Sequence, residues 1–264
     1  MFEQLFLIPC LNGLCFAILL PLLGCYLRLR GEWLAALAYS HVAAAGALTS
    51  LAADMPLAAG GMASAGAAAM SKRWLGHFVS QNVIYGLFML LGWALAILLT
   101  ANLPMAERLG HALFDGQLYF TGSEHLRIAV AALLIGLPLL KYLSRRLLLL
   151  QLFPQLASAG NSTLIFDLLA AALLALATMI LGVMGAFALV FVPAWAAFAR
   201  TSRWRNALLL ALALGLGSYL LAFAVALQSD QAFGPILAIG SIICSVSVLL
   251  QRRDCVISAA MLKG

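Results

Sequence analysis

The chain has 264 residues, 65% of them hydrophobic and only 9% charged, with a mean hydropathy of +1.07. A water-soluble domain carries about 25% charged residues, so a solvated surface is excluded and the chain reads as an integral membrane protein. The net charge of +6 comes from short basic clusters between apolar runs, which excludes an extended nucleic-acid-binding face and points to topology signals.

In chain order, runs of ~20 apolar residues predict an all-α, polytopic membrane bundle of about nine helices. They lie near 5–27, 34–53, 55–70, 79–101, 126–143, 164–181, 183–199, 206–227 and 234–250. The first lacks a positively charged leader in Met1–Leu7, so a retained helix is expected rather than a cleaved signal. The third is short and rich in glycine and alanine, which lets helix backbones approach closely and predicts a place inside the bundle. The sixth and seventh meet at Gly182 and reduce the count to eight if they form one kinked segment. Cys10, Cys15, Cys25, Cys244 and Cys255 show no C-x-x-C spacing and lie in or beside apolar spans, where cysteine is a small buried hydrophobe.

Charge sets the orientation. With the N-terminus outside and the C-terminus inside, thirteen of the fifteen basic residues fall on the inner side, and only Arg108 and Arg127 fall outside. The positive-inside rule asks for that bias, and it favours an odd number of spans. Glu32 and Trp33 read as the turn after the first span, and Asp167 as an inner-interface residue near a helix N-terminus, where negative charge is favourable.

Two connecting segments carry their own pattern. Residues 104–124 form an outer, partly apolar stretch punctuated by glycine, suited to a surface helix or a re-entrant element in the mouth of the bundle. Residues 147–162 lie on the inner side; Pro154 can open a short helix there and Gly160-Asn161 can close it, the form of a docking element for a soluble partner.

With these pieces in order, the chain resembles the membrane permeases of ABC uptake systems for zinc and manganese over nearly its whole length. The residues that carry the resemblance are A-L-A-Y-S-H-V at 36–42, L-F-D-G-Q-L-Y-F-T-G-S-E-H-L at 113–126, the inner segment 153–161, the 182–199 run ending in V-F-V-P-A-W-A-A-F-A, and D-Q-A-F-G-P at 230–235. The resemblance implies a plasma-membrane importer subunit in a bacterium, assembled with a second copy of the permease around a central pathway. It implies cytoplasmic ABC ATPase subunits docked at Phe153, Pro154, Ala157, Gly160 and Asn161, and an extracytoplasmic binding protein that delivers the cargo. No G-x-x-x-x-G-K-[ST] loop is present, so ATP is expected on the partner subunit, with no prosthetic group on this chain and no enzymatic role.

The same resemblance points to a metal ligand. In the family an aspartate four residues before the histidine places a carboxylate and an imidazole on one helix face, a pair able to hold a divalent transition metal in transit. Here the histidine is His41 and the aspartate position is Leu37. His41 therefore reads either as a pathway ligand short of its partner or as a histidine hydrogen-bonded to helix backbone. Ser80 stands where the family has a second histidine; with Gln81 it reads as pathway lining or as a plain interfacial helix start. Asp230 reads as an outer-mouth contact or as a turn residue. Transport of a metal chelate or another small solute on the same scaffold is the alternative that the missing aspartate favours. A secondary transporter would need buried ionisable residues for coupling, and the predicted spans hold almost none besides His41.

Overall fold

A computed structural model describes residues 2–152 and 161–261. The described chain is helical and has no strand: α1 Phe2–Leu29, α2 Ala35–Ala52, α3 Leu57–Leu75, α4 Gln81–Asn102, α5 Pro104–Asp115, a 3-10 turn Leu118–Phe120, α6 Ser123–Leu152, α7 Ser162–Arg200, α8 Trp204–Ser229 and α9 Phe233–Met261. Seven of these helices are long and apolar enough to cross a membrane, so the chain is a multi-pass membrane helical bundle. Helices are the form such sequences take, because each backbone amide must find its partner within its own segment.

The 39-residue α7 is two arms rather than one rod. An unbroken helix would separate residues 167 and 198 by ~47 Å. Instead Arg30 pairs with Asp167 at 2.9 Å while Arg28 lies over the Phe198 ring at 5.5 Å. The chain folds back at Gly182, whose φ of 77° and ψ of 167° are open only to glycine without strain. The reversal is packed as well as bent: a Cβ on Gly182 would lie 2.5 Å from Gly116 N and 2.7 Å from Phe114 O, at the end of α5. The sequence reading of two spans meeting at Gly182 thus matches the geometry.

α1 and the two arms of α7 form the centre, with Phe16, Leu19, Leu20, Leu23, Phe166, Leu174, Leu181 and Leu189 sealed from solvent. α2 and α3 run against each other so closely that a Cβ on Gly46 would meet Gly60 O at 2.5 Å, and Ser64 Oγ donates to Val42 O at 3.0 Å. At 19 residues, α3 is ~28 Å long, close to the ~30 Å hydrocarbon thickness. The expectation that α3 is enclosed by the bundle needs correction. Gly61, Ala65, Ala68, Ala69 and Lys72 are buried, but Met62 and Met70 on its other side are exposed. Small residues let it seat tightly on α2 and α7, and that contact needs only one face.

A second correction concerns the inner end, where residues read as turn and interface charges form a buried cluster. Lys72 Nζ lies 3.0 Å from Glu32 Oε1 and 2.9 Å from Asp167 Oδ2. Arg30 Nη2 lies 2.8 Å from Glu32 Oε1, and Arg30 Nη1 2.9 Å from Asp167 Oδ1, an ion pair off the line of a hydrogen bond. Tyr85 of α4 donates its phenol to Glu32 Oε2 at 2.9 Å. The four charged side chains are 4 to 11% exposed and sum to zero charge. Burial works against the Arg30 charge, and Glu32 and Asp167 outweigh it, leaving the guanidinium above its usual range.

α6 continues to Leu152, so residues 147–152 of the inner segment are part of that helix. Of the expected ATPase-docking residues, Phe153, Pro154, Ala157 and Gly160 lie outside the described residues. Asn161 is described; it is exposed at the start of α7.

Two stability predictions follow from these packings. Lys72→Met leaves two buried carboxylates sharing one cation, and removing one partner of a buried pair costs roughly 3–5 kcal/mol; a lower thermal unfolding midpoint in detergent is expected, with Lys72→Arg losing less. Gly182→Ala is expected to cost about 1–3 kcal/mol from a backbone conformation that only glycine adopts readily. Gly217→Ala in α8 meets open space and is expected to be neutral or stabilising by up to about 1 kcal/mol. Equal midpoints for the two alanine variants would contradict the fold-back.

Candidate functional site

His41 sits in the middle of α2, where the alanine-rich sequence A-A-L-A-Y-S-H-V-A-A-A-G lets neighbouring helices come close. Gly92 of α4 is the nearest approach: a Cβ there would lie 2.6 Å from the His41 carbonyl carbon and from Val42 N. That contact sets Trp93 beside the histidine, with ring centres 6.3 Å apart. From the other side the fold-back at Gly182 holds the end of α5, and Phe114 reaches the His41 ring at 5.9 Å.

These elements, with the second arm of α7 and α9, border an open hollow of about 730 Å³, with Trp93, Met184, Trp195 and Ile242 exposed at its rim. Trp93, Phe114, Phe187, Phe191 and Trp195 supply rings to its wall, Met89 and Met184 supply thioethers, and Leu37 stands where the resemblance places a carboxylate. His41 is the one titratable side chain in the lining, and it is 9% exposed.

The hydrogen bond of His41 decides what it offers. Nδ1 lies 2.8 Å from Leu37 O, one turn back. A carbonyl oxygen only accepts, so Nδ1 carries the proton. In the neutral ring Nε2 then keeps its lone pair, and no hydrogen bond to Nε2 is found among the described residues. Both readings of His41 therefore hold in part: one nitrogen is satisfied by helix backbone, and the residue lines the cavity.

The other sequence candidates do not join it. Ser80 is exposed at the N-cap position of α4 and lines none of the cavities described here. Gln81, exposed, lines a separate inner cavity of about 360 Å³ with Arg30, Lys72, Arg73, His77 and Asp167. Along α4 it stands ~18 Å from Trp93. Asp230 ends α8 in the left-handed conformation, exposed, at an outer cavity of about 770 Å³ beside Tyr119 and Phe120. Burial pushes the Tyr119 phenol up, and Asp230 adds to that. Among the described residues no three His, Cys, Asp or Glu side chains converge as a metal site. A bare metal ion thus finds at most one protein nitrogen in the His41 cavity of a single chain.

Sequence reasoning missed the ring-rich wall. Its signal was present: Met184, Phe187, Phe191 and Trp195 recur at helical spacing on one side of the second α7 arm, as Met89 and Trp93 do on α4. It was hidden because such stripes in an apolar span read as ordinary packing.

A family model described as the ABC 3 transport family matches residues 3–252. None of the curated proteins compared with the chain matches it. Among solved structures the chain is similar to PsaBC from Streptococcus pneumoniae in complex with Fab, at 17% identity and a TM-score of 0.79, covering 93% of this chain and 94% of that one. At that identity the likeness shows the shared fold. The family match spans nearly the whole bundle, His41 cavity included, and the chain belongs to the ABC 3 transport family as a membrane-spanning permease of an ABC transport system.

Proposed function

We propose that this chain is the permease subunit of an ABC importer whose cargo is a divalent transition metal such as zinc or manganese. Membership of the transport family supports the class. The single observation that carries the site is His41, buried in the bundle with Nδ1 tied to Leu37 O and Nε2 left with its lone pair at the His41 cavity. An imidazole nitrogen so held suits zinc better than manganese, which prefers oxygen ligands, and the backbone bond to its other nitrogen fixes tautomer and ring orientation.

In this reading the permease works as an assembly. ATPase subunits on separate chains bind the inner segment that includes Phe153, Pro154, Ala157, Gly160 and Asn161. A second copy of the permease completes the pathway, and an extracytoplasmic binding protein loads it near Asp230. ATP binding and hydrolysis bias the helices between states open to one side at a time. Asp167 lies five residues into α7, which begins where the docking segment ends. Movement there would reach α1, α3 and α4 through the buried cluster of Arg30, Glu32, Lys72 and Tyr85.

ATP-driven uptake of radiolabelled zinc and manganese into proteoliposomes tests the reading. The wild-type assembly is expected to take up one of them, and His41→Ala to lower that uptake by about tenfold or more. Equal uptake by both proteins would remove His41 from the pathway. Charged, bulky residues at 157 and 160 are expected to abolish co-purification with the ATPase subunit; unchanged assembly would sink the docking assignment. Leu37→Asp restores a carboxylate one turn from His41 and is expected to raise zinc affinity of the detergent-purified permease by about tenfold, ~1.4 kcal/mol, measured by equilibrium dialysis.

A further inference from the structure

A second groove, bordered by α1, α6 and α8, carries an inference about the membrane around this chain. Its volume is about 830 Å³, and it shares no lining residue with the His41 hollow. Leu22, Leu137, Pro138 and Leu208 make part of its lining aliphatic. Three cations stand along it, Lys141 and Arg145 of α6 and Arg205 of α8, all exposed, and no acid joins them in the lining. Among the described residues none of the three has an ion-pair partner. Lys141 and Arg145 are four residues apart, so they share one face of α6.

Depth narrows what can sit there. Lys141 and Arg145 lie ~21 and ~27 Å along α6 from Arg127, the last charge at its outer end. The hydrocarbon layer is ~30 Å thick, so Arg145 stands at its inner boundary and Lys141 reaches that level along its stem. Trp204, whose ring meets the buried Tyr26 at 5.2 Å, lines the same groove, and indoles favour the headgroup level. α8 begins at Trp204 with no side-chain cap, so its first amides add positive potential beside Arg205. A topology signal needs basic residues only on the inner side. It does not need them to converge from two helices on one apolar groove without a counter-charge.

We propose that this groove binds an anionic phospholipid of the inner leaflet, with its phosphate among Lys141, Arg145 and Arg205 and an acyl chain along Leu22, Leu137 and Leu208. The negative headgroup complements the three cations, and each lysine or arginine near an anionic membrane surface strengthens the attraction roughly fivefold. Arginine offers a planar fork that matches two phosphate oxygens, and lysine adds a point charge. A free anion would meet the same cations and leave the aliphatic wall uncovered. Since groove and hollow have no residue in common, the lipid does not compete for the lining that a second permease copy completes beside His41.

Native mass spectrometry of the purified full-length chain tests this, with phosphatidylglycerol and phosphatidylcholine of identical acyl chains at equal mole fraction in the micelles. Phosphatidylglycerol is expected to be retained at least about tenfold over phosphatidylcholine. Arg145→Gln is expected to cut that preference by about fivefold, and the triple change Lys141→Gln, Arg145→Gln, Arg205→Gln to abolish it. Arg145→Lys is expected to keep most of it, which separates lost charge from lost fold. Arg146→Gln removes the same charge from the next residue, which donates to Ser162 Oγ at 3.3 Å, and is expected to leave the preference intact. Leu137→Trp fills the groove with its cations in place and is expected to weaken retention several-fold. Equal retention of the two lipids overturns the proposal, as does an equal loss from Arg145→Gln and Arg146→Gln. Glycerophosphoglycerol, the headgroup without chains, is expected to leave the lipid bound. Displacement by it at equal concentration would assign the cations to a free anion and overturn the lipid site.

Discussion

Four charges buried at the inner end of the bundle are the constraint on which the arrangement depends. Arg30, Glu32, Lys72 and Asp167 come from the α1–α2 turn, α3 and α7, and Tyr85 adds α4. Within a membrane protein, apolar packing distinguishes poorly between partner helices, since lipid is as apolar as leucine. A carboxylate or ammonium without its partner has no comparable alternative in hydrocarbon. The cluster therefore specifies which helices meet and in which register. Arg28, two residues earlier, lies over Trp33 at 4.2 Å and marks the same junction.

The outer end is fixed differently, by shape. Gly182 reverses the chain, and Gly116 and Phe114 close on the reversal with no room for a side chain. Together the two ends stretch the second arm of α7 past α2, and the space left between α2, α4, α5, α7 and α9 is the cavity beside His41. The site is thus a product of two distant anchors, one electrostatic and one steric. Residues 162–181 share the inner cluster, and residues 183–200 carry Phe187, Phe191 and Trp195 into the cavity wall.

The chemistry of the cavity departs from that of a metal cage. Cages surround an ion with converging hard or borderline donors. Here a single imidazole stands among indoles, phenyl rings and thioethers. With Leu37 in place of a carboxylate, the helix face that resembles a two-ligand site presents one ligand and one alkyl group.

Sequence alone determined the membrane class, the helical bundle and the separate arms meeting at Gly182. Each rests on local properties, namely run length, hydropathy and one glycine between two apolar runs. It did not reveal that Glu32, Lys72 and Asp167 leave water, or that α3 keeps one face exposed, because burial depends on which helices become neighbours. It missed the ring-lined wall for the same reason. Met89, Trp93, Phe187 and Trp195 are ordinary apolar letters until the fold-back brings the second α7 arm opposite α4. The bond that leaves Nε2 its lone pair, 2.8 Å from Nδ1 to Leu37 O, is local to α2; the tertiary structure decided only that neighbouring helices leave open space in front of the ring.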